Sequence, residues 1–160
     1  FARMPKPVLK DNDLIQELND NIKFLSKIDE EINIELKNES KKVIFKSDKE
    51  QLNRVFLNLI KNSIESIQQK AEKNNNFDKN ISIVIKDNND HIQIIMTDNG
   101  IGFGTFKNNI RDILHPYFTT KKDGTGLGLS IVNKIVNDHN GKIDFFSISD
   151  GAKVEINFNK

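Results

Sequence analysis

The sequence predicts an α+β domain. Two observations carry the prediction. Segments of helical period and segments of strict apolar alternation occur in the same 160-residue chain. The later strand segments also come in pairs, joined by links such as Asp87-Asn88-Asn89-Asp90 and Asp150-Gly151 that mark antiparallel hairpins.

Taken in order, residues 1–10 contain Pro5 and Pro7 and read as an extended linker leading into a domain over 11–160. Asp11 or Asp13 caps a first helix carrying Leu14, Leu18, Ile22 and Leu25 at helical spacing. Residues 32–36 alternate strictly and predict a strand, and residues 43–46 a second short one. Ser47 followed by Glu50 has the form of a capping box. The long helix it opens runs to about Ala71, with Leu52, Val55, Phe56, Leu59, Ile60, Ile64 and Ile67 as its apolar face. Gln51, Arg54, Asn58, Asn62, Glu65 and Gln69 form a polar stripe beside it. Residues 81–85 and 92–96 are a strand pair. A glycine-flanked basic segment, 103–123, has the length of a lid or binding loop. A helix over about 127–138 and a final pair of strands, 142–149 and 153–158, complete the chain.

Composition narrows the function classes. Hydrophobic residues make up 36% and charged residues 29%, as expected of a soluble domain with one core. A net charge of +1 gives no basic field for nucleic acid. With no cysteine, disulfides and thiolate metal sites are excluded. No apolar run reaches membrane-spanning length. The chain opens at Phe1 without an initiator Met and reads as a fragment of something longer, which leaves room for a membrane anchor in the parent.

Three separated motifs carry chemistry. Asn58 and Asn62 stand one turn apart on the long helix, at the edge of its buried face. Asn competes with backbone hydrogen bonds and is a poor interior helix residue. Its amide oxygen is a hard, neutral ligand suited to Mg²⁺ that keeps waters and phosphates. A plain polar helix edge is the alternative. Asp98-Asn99-Gly100-Ile101-Gly102 follows a strand in whose apolar phase Asp98 lies. An ionised Asp98 can accept a hydrogen bond from an adenine amine, with Gly100 and Gly102 letting backbone approach the base. A simple turn is the alternative.

Gly124-Thr125-Gly126-Leu127-Gly128-Leu129-Ser130 is the most specific stretch. Its glycines leave bare N–H groups at a helix start, where the dipole favours phosphate oxygens. The lysine of a Walker-type loop is absent. Tyr117 and Phe118 are expected to anchor the lid, and Lys121 to reach a phosphate. His91, His115 and His139 have no acidic partner nearby in sequence and receive no chemical role. Glu65 reads as a surface or supporting residue. Together the motifs supply the parts of a Mg-ATP site.

Order and spacing resemble the ATP-binding catalytic domain of sensor histidine kinases, within the gyrase, Hsp90, histidine kinase and MutL superfamily. Asn58 to Asn62 is similar to the N box, with Asn62 at the Mg-binding position. Asp98 to Gly102 is similar to the first glycine box, Pro116-Tyr117-Phe118 to the F box, and Gly124 to Ser130 to the second glycine box. Phe1 to Pro5, Asn62 to Ser66 and Tyr117 to Lys121 resemble nitrogen-regulation kinases of the NtrY type. The resemblance implies a two-layer, Bergerat-type sandwich: a mixed five-stranded sheet with three main helices on one face and a mobile ATP lid. ATP and Mg²⁺ are the implied cofactors. The implied partners are a histidine-bearing dimerisation domain of the same parent and a response regulator receiver domain. By the same resemblance residues 1–10 lead from the dimerisation helix, and the parent is a homodimer anchored in the inner membrane with this domain in the cytoplasm.

The phosphoacceptor pattern, His then an acid then Asn or Thr before Pro, is absent, so autophosphorylation by this chain alone is not expected. His115 stands where the F box commonly has an acid. An ATPase of the gyrase, Hsp90 or MutL kind would carry Glu in place of Asn58 to activate water. A non-catalytic nucleotide-sensing module would not need every glycine.

Overall fold

The structure is a computed structural model, and it describes residues 4–103 and 128–160. Strand β1 (Lys10–Asp13) leads directly into helix α1 (Leu14–Leu25). Strands β2 (Ile32–Asn38) and β3 (Ile44–Ser47) precede the long helix α2 (Lys49–Lys73). The hairpin β4 (Lys79–Asp87) and β5 (His91–Asp98) follows. Helix α3 (Gly128–Asp138) and the hairpin β6 (Gly141–Ile148) and β7 (Gly151–Asn159) close the chain.

Five strands form one mixed sheet in the order β2-β4-β5-β7-β6. β2 pairs parallel to β4, and the other pairs are antiparallel. The three helices cover one face of it. The expected sheet and helix layer are thus present. The inner face is set by alternation: Ile81, Ile83 and Ile85 of β4 and Ile92, Ile94 and Met96 of β5 are all buried. Leu52, Val55, Phe56, Leu59, Ile60, Ile64 and Ile67 of α2 meet them as predicted, each 3% exposed or less. Burying one such side chain stabilises the fold by about 1.5–3 kcal/mol.

Several local details depart from the sequence reading. β1 and β3 form a separate two-stranded sheet, unforeseen because Lys10-Asp11-Asn12-Asp13 has no apolar alternation. Residues 4–9 have no regular structure but are tied down. The Pro5 carbonyl accepts from Gln51 Nε2 at 3.0 Å, and Val8 N donates to Asp48 Oδ2 at 2.9 Å.

The cap of α2 is Asp48 rather than Ser47: Asp48 Oδ1 accepts from Gln51 N at 3.1 Å. Ser47 ends β3, fully buried, with its hydroxyl turned to the Phe45 carbonyl at 3.0 Å. An ionised acceptor outcompetes a hydroxyl for the exposed helix amides.

His139, to which sequence reasoning assigned no chemical role, is buried and joins two helices. Its Nδ1 donates to the Ile135 carbonyl at 2.8 Å, and its Nε2 accepts from Asp48 N at 3.0 Å. Asn140 follows at φ 59°, the left-handed position that ends many helices.

Candidate functional site

Asp98 is the last residue of β5, and the alternation that buries Ile92, Ile94 and Met96 carries it inward too. It is only 7% exposed. Gly100 N donates to its Oδ1 at 2.9 Å, and the Ser63 hydroxyl donates to the carboxylate. Burial pushes the Asp98 carboxyl above its ordinary value, while the Gly100 amide, the Ser63 hydroxyl and the charge of Lys70 oppose that shift. A buried carboxylate with these donors on one side is a ready acceptor for a further polar hydrogen.

The turn after Asp98 is held from three directions. Asn99 Oδ1 accepts from Asn80 N at 3.0 Å, and its Nδ2 donates to the Asp78 carbonyl, both at the start of β4. Ile101 N reaches α2, donating to Ser66 Oγ at 3.0 Å. Gly100 lies flat against α2: a Cβ there would fall 2.6 Å from the Ser66 carbonyl carbon and 2.7 Å from Ile67 N. Gly102, at φ 71°, abuts the Gly151 carbonyl of the β6–β7 turn. The glycine requirement at both positions therefore comes from the protein's own backbone, whereas the sequence reading assigned it to an approaching base.

One turn up α2, Asn62 Nδ2 donates to Asn58 Oδ1 at 3.2 Å, and both side chains are half-buried. Asn58 in turn lies against Gly128, the first residue of α3. A Cβ at Gly128 would sit 3.0 Å from both Asn58 Nδ2 and Oδ1. The Asn58–Asn62 pair thus meets the start of α3 at Gly128, while Asp98 meets the same helix α2 at Ser63, the residue after Asn62. Lys121, Gly124, Thr125, Gly126, Leu127, Tyr117, Phe118 and His115 lie outside the described residues, as does the expected lid beyond Phe103. Glu65 is half-buried on the same helix.

Sequence reasoning missed Ser63, Ser66 and Lys70. Their spacing of three and four put them on one stripe of α2, beside the Asn stripe, and that spacing was the available signal. It also missed Asn99, whose side chain and carbonyl are the staples of the turn.

Among the described residues no group of three or more His, Cys, Asp or Glu forms a metal cage. The donor set at Asn58 and Asn62 is amide only. Such a set fits a hard cation that draws its other ligands from phosphates and water. Gly128, opening an 11-residue helix opposite Asn58, adds amide groups and a dipole suited to phosphate.

The profile of the histidine kinase-, DNA gyrase B- and HSP90-like ATPases matches residues 47–160, and the chain belongs to that family. A putative sensor histidine kinase, NtrY-like, of Rickettsia conorii is 31% identical over 159 residues, covering 99% of this chain. The chain spans 25% of that relative's length. Among solved structures, a nucleotide-free catalytic domain of histidine kinase ThkA superposes with a TM-score of 0.81 at 23% identity, over 96% of each chain. Full-length ShkA in complex with AMPPNP gives 0.80 at 19% identity, over 98% of this chain and 32% of that one. The fold is the Bergerat fold of the histidine-kinase ATPase domains. Among the described residues no helix is long and apolar enough to cross a membrane.

Proposed function

We propose that this chain is the Mg-ATP-binding catalytic domain of a two-component sensor histidine kinase. It delivers the γ-phosphoryl of ATP to a histidine on the parent's dimerisation domain, for relay to a response regulator receiver domain. The observation that carries the reading is the placement of Asp98: a buried carboxylate at a strand end, held by Ser63 of α2, the helix that also carries the Asn58–Asn62 pair.

In this reading Asp98, ionised, accepts the exocyclic amine of adenine, and Gly100 and Gly102 shape the turn that presents it. Asn58 and Asn62 face the phosphates, with the Asn62 amide oxygen as the protein ligand to Mg²⁺. The backbone of Gly124, Thr125, Gly126, Leu127 and Gly128 cradles phosphate oxygens, and Lys121 adds a positive charge from a lid over 103–123. Mg²⁺ held by Asn62 would supply positive charge against the phosphates. The protein's own contribution is positioning and preorganised dipoles, because phosphoryl transfer asks little covalent help of it.

Residues 1–10 then connect to the dimerisation helix, and 11–160 form the catalytic domain. The likeness to NtrY-like relatives supports a sensor histidine kinase as the parent, and we propose that this parent is a nitrogen-regulation kinase, a membrane-anchored homodimer with this domain on the cytoplasmic side. The test is phosphotransfer. Radiolabelled ATP, Mg²⁺ and this chain, mixed with a histidine-bearing dimerisation domain of an NtrY-like kinase, are expected to label the histidine only when all are present. ATP hydrolysis by the chain alone, with no label transferred, would place it instead with the hydrolytic members of the family.

A further inference from the structure

We propose that Lys70 is the positioning residue for the base-binding carboxylate: its ammonium joins the Asn99 carbonyl to the Asp150 carboxylate and so fixes the turn that presents Asp98. The proposal rests on Asp98 being the base acceptor.

Lys70 Nζ lies 2.9 Å from the Asn99 carbonyl oxygen and 2.7 Å from Asp150 Oδ1. It also lies 4.5 Å from the centre of the Phe77 ring. One cation thus bonds α2 to the turn following β5 and to the turn joining β6 to β7, with an aromatic face beneath it.

Stability alone is a weak account of this arrangement. The Asp150 side chain is 70% exposed, and ion pairs with so exposed a partner contribute little to folding. The carbonyl contact is different. The Asn99 carbonyl belongs to the same peptide as the Gly100 N–H, which donates to Asp98 Oδ1, so anchoring that carbonyl holds the amide that orients the carboxylate. Gly151, next to Asp150, meets the peptide just before that one: a Cβ there would collide with the Asp98 carbonyl. Lys70 therefore clamps two turns that already touch behind the acceptor.

The surrounding charges leave that role to Lys70. Lys79 of β4 shares the Phe77 ring at 5.4 Å but is paired with Glu31 at 3.2 Å. The positive charge of Lys70 acts on Asp98 and favours its ionised form, the form needed to accept an amine hydrogen.

The experiment is calorimetric titration with Mg-AMPPNP across the acid range, on wild type, Lys70→Met and Lys70→Arg. Lys70→Met is expected to bind about tenfold more weakly at neutral pH. Its acid midpoint, where binding is lost as Asp98 protonates, is expected to lie higher than in wild type. Lys70→Arg is expected to restore both.

Uniform weakening at every pH, with the midpoint unmoved and no rescue by Arg, would reduce Lys70 to packing and overturn the proposal. Unchanged binding in Lys70→Met, with wild type binding normally, would overturn it while leaving the Asp98 reading intact. Absence of binding in wild type would overturn both. If Lys70→Met does not fold, Asp150→Ala decides. It keeps the cation but removes its acceptor on one turn, so affinity should fall without a rise in the acid midpoint, and unchanged affinity would overturn the proposal.

Discussion

Asn58 of α2 and Gly128 of α3 are in contact because Gly128 has no side chain. A Cβ at Gly128 would stand 3.0 Å from both polar atoms of the Asn58 amide. Two motifs separated by 70 positions in the sequence thereby share one wall, and α3 starts where that amide is. Ala is a better helix former than Gly by about 1 kcal/mol. Gly128→Ala is therefore expected to leave thermal stability unchanged or slightly raised. It displaces the Asn58 amide by a few tenths of an ångström and should weaken AMPPNP binding severalfold. Differential scanning calorimetry together with binding titration would separate the two effects. Equal affinity would show that the Asn58–Gly128 contact is irrelevant to the site.

Gly100 is less forgiving, because its neighbours are backbone. A methyl group there would meet the Ser66 carbonyl carbon at 2.6 Å and Ile67 N at 2.7 Å, inside a packed helix. Gly100→Ala is expected to lower folding stability by about 3 kcal/mol, the upper range for overpacking. Chemical denaturation would read this directly. A stability within experimental error of wild type would mean that α2 does not press on the turn.

Glu17 offers a test outside the site. It is 2% exposed on α1, and among the described residues neither carboxylate oxygen has a hydrogen-bond partner. Burial raises its pKa to about 7; Lys49 opposes the shift, and Asp13, Asp20 and Asp48 add to it. Because the folded pKa exceeds the unfolded one, the protonated form favours the native state. Stability from Glu17 is full below the ordinary value of 4.5 and is lost as pH rises through about 7. Glu17→Gln, which stays neutral, should therefore be stabilised relative to wild type by on the order of 2 kcal/mol at pH 8. The difference should shrink toward acid pH. A pH-independent difference would mean that Glu17 ionises freely in the folded chain.

The sheet was legible because its inner face is written in Ile and Met at alternate positions, and α2 because its apolar face is continuous from Leu52 to Ile67. Asp98 was legible for the same reason, as a carboxylate where the alternation calls for an apolar residue. β1 was not, since its four polar residues pair with β3 through backbone groups that leave no pattern in side chains. Nor were the staples of the turn. Lys70, Asn99 and Asp150 are spread over 80 positions, and only folding brings them into bonding range. Periodicity reports which face a residue shares within one element and says nothing of which turn lies opposite it.

The most direct measurement is titration of Mg-AMPPNP into wild type and Asp98→Asn at neutral pH, with circular dichroism to verify the fold. Replacing a buried, partly desolvated carboxylate by a neutral amide should leave the fold intact. Saturable binding by wild type and none by Asp98→Asn is the predicted result. Equal binding by the two proteins would contradict the assignment of Asp98 as the base acceptor, and with it the account of the site.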